Sequence, residues 1–198
     1  MPSAASTPPA APESAARWNE RYLRQPDGGV DPPPQPWLLE QQAWLPRSGR
    51  ALDVAMGLGG SAGWLLGRGL SVVGVDISEV AVRRAKARWP GLLAFVADLE
   101  TLVLPAAAFD VILNFYYLDR ALWPQYRRAL RPGGVLFFET FIAGQPGMNP
   151  AYLLAHGELR AAFAGWRVLA YREGPIKQAG EEPRFVASLV ARRENDAS

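Results

Sequence analysis

The sequence predicts an α/β fold: a doubly wound, seven-stranded sheet, mostly parallel, with an antiparallel pair of strands at its C-terminal end and helices ahead of the first strand. Three observations predict it. Strand-like runs alternate with helix patterns four times through the middle of the chain. Most of those runs are continuously apolar, as in parallel strands covered on both faces. The last two, 166–172 and 184–192, are joined by a turn-rich segment without a helix, which suits antiparallel pairing. Right-handed crossovers then set the winding.

Each element follows from its local pattern. Residues 1–12, rich in Ala, Ser and Pro without periodicity, read as a disordered tail. Residues 13–24, ESAARWNERYLR, read as a helix with Trp18 and Tyr22 on one face. Pro32, Pro33, Pro34 and Pro36 favour an extended linker, and 37–45, WLLEQQAWL, a second short helix closed by Pro46. The first strand, 51–54, runs into a glycine turn and a helix over about 60–67. A strand at 71–75 ends at Asp76, and Ser78 can N-cap a helix over 79–88 stopped by Pro90 and Gly91. Further strands are expected at 92–96, 109–115 and 135–140, with helices over 120–130 and near 157–164. Pro132, Gly133 and Gly134 read as a plain turn. The expected organisation is one domain over 13–192: N-terminal helices or lid at 13–46, a cofactor-binding half at 50–141, a substrate-side half at 142–192, and a tail at 193–198.

Composition narrows the function. The chain has 198 residues, 49% hydrophobic and 20% charged, as in a globular protein with a sizeable core. A net charge of +2 does not call for nucleic acid or an anionic membrane as partner. The absence of cysteine excludes disulfides, thiolate metal sites and a cysteine nucleophile, and no metal site is expected. No long apolar run reads as a membrane span, and the first residues lack the charged and apolar regions of a secretory signal. A cytoplasmic protein, monomeric or homodimeric, is expected.

The chemistry gathers at strand ends. In a doubly wound, Rossmann-like sheet, ligands bind beyond the carboxyl ends of the strands at the switch point. Asp53, Asp76 and Asn114 stand there, with Asp98 following the third strand. Gly57, Gly59 and Ala62 fit the dinucleotide fingerprint, with Asp76 as the acid that accepts ribose hydroxyls. Against a dinucleotide stands Asp53, whose charge repels a pyrophosphate and attracts a cationic end. The glycines alone leave both ligands open.

Taken together, the motifs resemble the class I S-adenosylmethionine-dependent methyltransferases. LDVAMGLGGSA at 52–62 is similar to their motif I, with Ala55 in place of the usual first glycine. VVGVDIS at 72–78, VADLE at 96–100, FDVILNFYYLD at 109–119 and LRPGGVLFFETF at 130–141 resemble the later motifs, in the family's order. The helix bearing WNERY and the proline linker resemble the small tellurite-resistance and thiopurine-methyltransferase-like branch. The resemblance implies S-adenosyl-L-methionine as cofactor. It implies that Asp53, Ala55, Gly57 and Gly59 surround the methionyl end and ribose, and that Asp76 binds the ribose hydroxyls. Ile77 would pack on adenine, Asp98 and Leu99 would meet its edge, and Asn114 would face the methionine moiety mostly through backbone. Trp18 and Tyr22 either line the pocket or pack the N-terminal helix.

The expected reaction is methyl transfer to a small-molecule acceptor by in-line displacement. Motif IV lacks the Asn-Pro-Pro-Tyr form of nucleic-acid amino methylation, and no basic stripe is interleaved with aromatics. Soft nucleophiles need no base. For a hydroxyl or amine, Tyr116, Tyr117 and His156 are the catalytic candidates, with Glu139 beside them. A surface or capping role competes with catalysis for His156. The alternatives are an NAD(P)-dependent oxidoreductase and a non-catalytic cofactor-binding module.

Overall fold

The computed structural model describes residues 11–26, 29–177 and 182–194. Of the expected tails, 1–12 and 193–198, residues 1–10 and 195–198 lie outside the described residues, while Ala11 already opens a helix. In chain order the helices are α1 (Ala11–Arg24), α2 (Pro36–Glu40), α3 (Gly60–Gly67), α4 (Glu79–Arg88), α5 (Leu122–Ala129) and α6 (Glu158–Ala162). The strands are β1 (Arg50–Val54), β2 (Ser71–Asp76), β3 (Leu93–Val96), β4 (Phe109–Phe115), β5 (Leu130–Phe141), β6 (Arg167–Ile176) and β7 (Arg184–Arg192). They form one sheet in the order β3-β2-β1-β4-β5-β7-β6. The first five strands run parallel, and β7 is antiparallel to both of its neighbours. The expected antiparallel C-terminal pair is β6 with β7, in which β7 is the reversed strand and β6 runs in the direction of β5. Strand order reverses between β1 and β4, so the switch point lies where the glycine turn leaves β1.

Burial on both faces is what the continuous apolar runs demand. Leu52, Val54, Ile112 and Phe138 pack with Tyr126 of α5 and Leu159 of α6. On the other face Ala51, Val72, Leu113 and Phe137 pack with Trp37 and Leu38 of α2, Leu65 of α3 and Val82 of α4. No described helix lies between β3 and β4, and Leu93 and Phe95 of β3 are correspondingly exposed. Among the described residues no helix is long and apolar enough to cross a membrane.

Two local expectations change. The helix expected over 37–45 is two pieces, α2 and a 3-10 turn Gln42–Trp44, because Gln41 leaves helical geometry at φ −107°. Pro132, Gly133 and Gly134 are not a turn ahead of the strand. Leu130 already pairs with Phe109, the next pairing is Val111 with Val135, and the residues between bulge out of β5. Gly133 takes φ 80° there, a conformation glycine adopts without strain. The sheet also continues past β7, since Gly133 and Arg193 donate backbone N–H groups to Arg193 and Gly134 carbonyls, both at 2.9 Å.

Candidate cofactor site

The site is built by the ends of β1 and β2 and the turn between β1 and α3. Asp53 lies one residue before the end of β1, and Asp76 closes β2. The chain then turns sharply at Ala55, Gly57 and Gly59, with φ of 50°, 57° and 75°. Glycine takes such angles freely. Ala55 holds the same left-handed geometry with a Cβ, at roughly 1–2 kcal/mol of strain.

The two acids differ sharply. Asp76 is buried and well supplied: one carboxylate oxygen accepts the Gly57 N–H and the other the Ser78 N–H, both at 2.8 Å. Burial raises its pKa, and the Ser78, Gly57 and Ile77 amides pull partly the other way. Asp53 is 3% exposed, and its Oδ2 has no hydrogen-bond partner among the described residues. Burial pushes its pKa up to about 7, opposed by the Ala62 amide and reinforced by the charge of Asp76. A buried, unpartnered carboxylate oxygen is expensive to maintain. It fits a ligand that brings a cationic donor and opposes one that brings a pyrophosphate.

Helix α1 closes over the turn. A Cβ at Gly57 would stand 2.7 Å from the Tyr22 hydroxyl, so a side chain there would displace Tyr22, and the φ of 57° itself favours glycine. Burial raises the Tyr22 pKa, and the charge of Asp76 adds to it. Trp18 stacks on Tyr22 at 5.9 Å between centroids. Two further groups fix the helix. Asn19 Oδ1 accepts from the Ser78 hydroxyl at 2.7 Å and the Val80 N–H at 3.2 Å. Ser78 in turn N-caps α4 by accepting the Ala81 N–H. Arg84 donates to the Tyr22 and Gln25 carbonyls, capping the end of α1. The proline linker reinforces this: a Cβ on Gly60 would stand 2.4 Å from the Pro33 carbonyl oxygen, and the Gln35 N–H donates to Ser61.

The remaining expected residues divide. Ile77 is half-buried beside Asp76, and Leu99 is buried in the core. Asp98 holds a turn, accepting the Glu100 N–H through its side chain and the Thr101 and Leu102 amides through its carbonyl. Asn114 is buried with both amide ends engaged: it donates to the Tyr117 carbonyl and accepts from the Tyr126 hydroxyl. Tyr117 lies in the field of Asp119, Glu100 and Asp98, which with burial raises its pKa. Tyr116 has φ 57° and donates both its N–H and its hydroxyl to Glu139. Burial and the Glu139 charge raise its pKa. Glu139, buried at the end of β5, also accepts from Ser188 and Arg172. Arg172 lies 4.4 Å from the Trp37 ring centroid and pairs with Glu40. His156 meets Glu173 at 2.7 Å from a side chain 71% exposed, and Tyr171 and the Gly157 N–H share that glutamate.

Known proteins share similarities with this chain in sequence and in fold. A family model described as a methyltransferase domain matches residues 51–134. A Mycolicibacterium smegmatis protein named as a probable S-adenosylmethionine-dependent methyltransferase is 32% identical over 124 residues, 53% of this chain and 48% of the relative. The chain is thus similar to proteins named as probable S-adenosylmethionine-dependent methyltransferases, and its residues 51–134 match a methyltransferase domain. It spans about half the length, or less, of the curated relatives it matches. Among solved structures, a protein that converts a disulfide bond into a thioacetal group during echinomycin biosynthesis superposes with TM-score 0.71 at 22% identity, over 93% of each chain. TehB of Haemophilus influenzae superposes with TM-score 0.71 at 14% identity, over 91% of this chain and 67% of its own. Those two likenesses concern the fold alone.

The residues present fit the family's cofactor. Asp53 offers a buried acceptor suited to an ammonium donor, and Asp76 closes the neighbouring strand with both oxygens on backbone amides of the turn and of the segment after β2. Sequence reading missed Asn19 and Arg84. Their partners lie about 60 residues away in the chain, and no local spacing signals the pairing.

Proposed function

We propose that this chain transfers a methyl group from S-adenosyl-L-methionine to a small-molecule acceptor. The unpartnered Oδ2 of Asp53 beside the glycine turn carries the reading. Asp53 would hold the ammonium, Asp76 with the Gly57–Gly59 turn the ribose, and Ile77, Asp98 and Leu99 the adenine side, with Ala55 and Asn114 shaping the methionyl end. When bound, the cofactor supplies a methyl group on a sulfonium. The chain's own part is to align, desolvate and enclose. Trp18 and Tyr22 would cover the site, with residues 13–46 as its lid, 50–141 as the cofactor half and 142–192 as the acceptor side.

The protonation of the acceptor side narrows the acceptor. Burial holds the Tyr116 and Tyr117 hydroxyls protonated at neutral pH, and Glu139 already accepts from three side chains. Exposed His156 is bound to Glu173. This favours an acceptor that arrives ionised or needs no base. The reading extends to a cytoplasmic monomer or homodimer that acts on neither nucleic acid nor membrane. The test is a screen of thiols, amines and acids for S-adenosylhomocysteine release, with calorimetry of S-adenosylhomocysteine itself. Binding in the micromolar range with at least one turned-over acceptor is expected; an absence of heat would overturn the reading.

A further inference from the structure

We infer that the protein has a second small-molecule site, at the opposite end of the sheet, that takes a small monocarboxylate with an apolar body. A cavity of about 270 Å³ lies between the segment after α2 and the starts of β4 and β5. Trp44, Leu45, Pro46 and Val135 give it an apolar wall, and Arg192 and Asp110 its polar end. Asp110 is the second residue of β4 and Asn114 the last but one, so about 13 Å of strand separates the cavity from the cofactor side.

The register of β7 directs Arg192 into this cavity. Ser188, Val190 and Arg192 alternate onto one face, where Ser188 meets Glu139 and Val190 packs in the cluster containing Trp37. Arg192 Nε is buried without a hydrogen-bond partner among the described residues. The neighbouring acid does not supply one. Asp110 Oδ2 accepts Arg131 Nη1 at 2.6 Å and the Arg50 N–H at 2.7 Å. The bulge at Gly133 and Gly134 lines the same cavity with bare backbone.

These features select a ligand class. A planar guanidinium pairs bidentately with a carboxylate or a phosphate. Asp110, with its own charge at the cavity rim, penalises a dianion more than a monoanion. The Trp44–Pro46 wall rewards an apolar body. The volume is below the roughly 300–1,000 Å³ of sites for drug-sized ligands, so the ligand is small. Benzoate has this chemistry and serves as the probe.

The test follows the arginine Nε–H resonance of Arg192 in the full chain by nitrogen-resolved magnetic resonance, assigned by its loss in Arg192→Lys. Benzoate is expected to shift it saturably at roughly millimolar concentration or below. Neutral benzamide and sulfate should leave it in place, and saturating S-adenosylhomocysteine should not displace benzoate. Arg192→Gln should abolish the binding. Asp110→Asn should tighten it several-fold and admit sulfate, a gain that a misfolded variant cannot produce. An unmoved Arg192 signal, benzoate binding retained in Arg192→Gln, or displacement by S-adenosylhomocysteine would each overturn the site. The benzoate arm requires no cofactor binding, so its outcome is separate from that of the proposed methyl transfer.

Discussion

The two halves of the sheet treat buried charge in opposite ways. At the ends of β1 and β2, Asp53 and Asp76 lie on either side of a bare turn, and one oxygen of Asp53 has no hydrogen-bond partner among the described residues. Toward the ends of β4 and β5, Glu139 is equally buried, yet Tyr116, Ser188 of β7 and Arg172 of β6 all donate to it. The first half keeps an unmet acceptor, which the proposed reading assigns to the cofactor's ammonium. The second has closed its polar network on itself, and the network stiffens the wall that an acceptor would meet. Function here is marked by the polar group left wanting, and a buried charge alone is a poor guide to it.

The comparison can be broken by substitution. Asp76→Ala should have the largest effect, weakening S-adenosylhomocysteine binding by about 100-fold or more in calorimetry, since charged hydrogen bonds are worth about 1.5–3 kcal/mol each. Glu139→Ala should do the reverse: it should destabilise the fold by about 2–3 kcal/mol in urea while S-adenosylhomocysteine affinity changes little. A large loss of affinity in Glu139→Ala would erase the distinction between the halves. Asn19→Ala removes the acceptor that ties α1 to α4 and should cost about 1 kcal/mol. Faster cofactor exchange by stopped-flow fluorescence is the accompanying sign, and unchanged exchange would mean that α1 is not a lid. Ala55→Gly should be the smallest change, a gain of about 1 kcal/mol from relief of the left-handed strain.

Much of the first half was legible in the chain. Continuous apolar runs fix the strands of a sheet covered on both faces, and Asp53 and Asp76 stand at the strand ends where the reading put them. Ser78 caps α4 as its residue type suggested. The second half was less legible because its contacts cross the sheet. The row from Glu139 to Ser188 to Arg172 exists only once β7 lies reversed between β5 and β6. The β5 bulge hid the true start of that strand behind an apparent turn. Glycine spacing also reports packing as well as ligands: Gly57 accommodates Tyr22 and Gly60 accommodates the proline linker.

The protonation of Asp53 couples stability to function. Its folded pKa of about 7 lies above the ordinary 3.8. Between those values the folded state keeps a proton that the unfolded chain has released, so cofactor-free stability falls as pH rises from about 4 to about 7. An ammonium ligand needs the ionised form, so binding must strengthen over the upper part of the same range. The most direct measurement is therefore S-adenosylhomocysteine affinity against pH in the wild type and in Asp53→Asn. Affinity should rise several-fold from about pH 6 to about pH 7.5 in the wild type and stay weak and flat in the variant. Tight, pH-independent binding by Asp53→Asn would contradict the central claim that Asp53 receives the cofactor's cationic end.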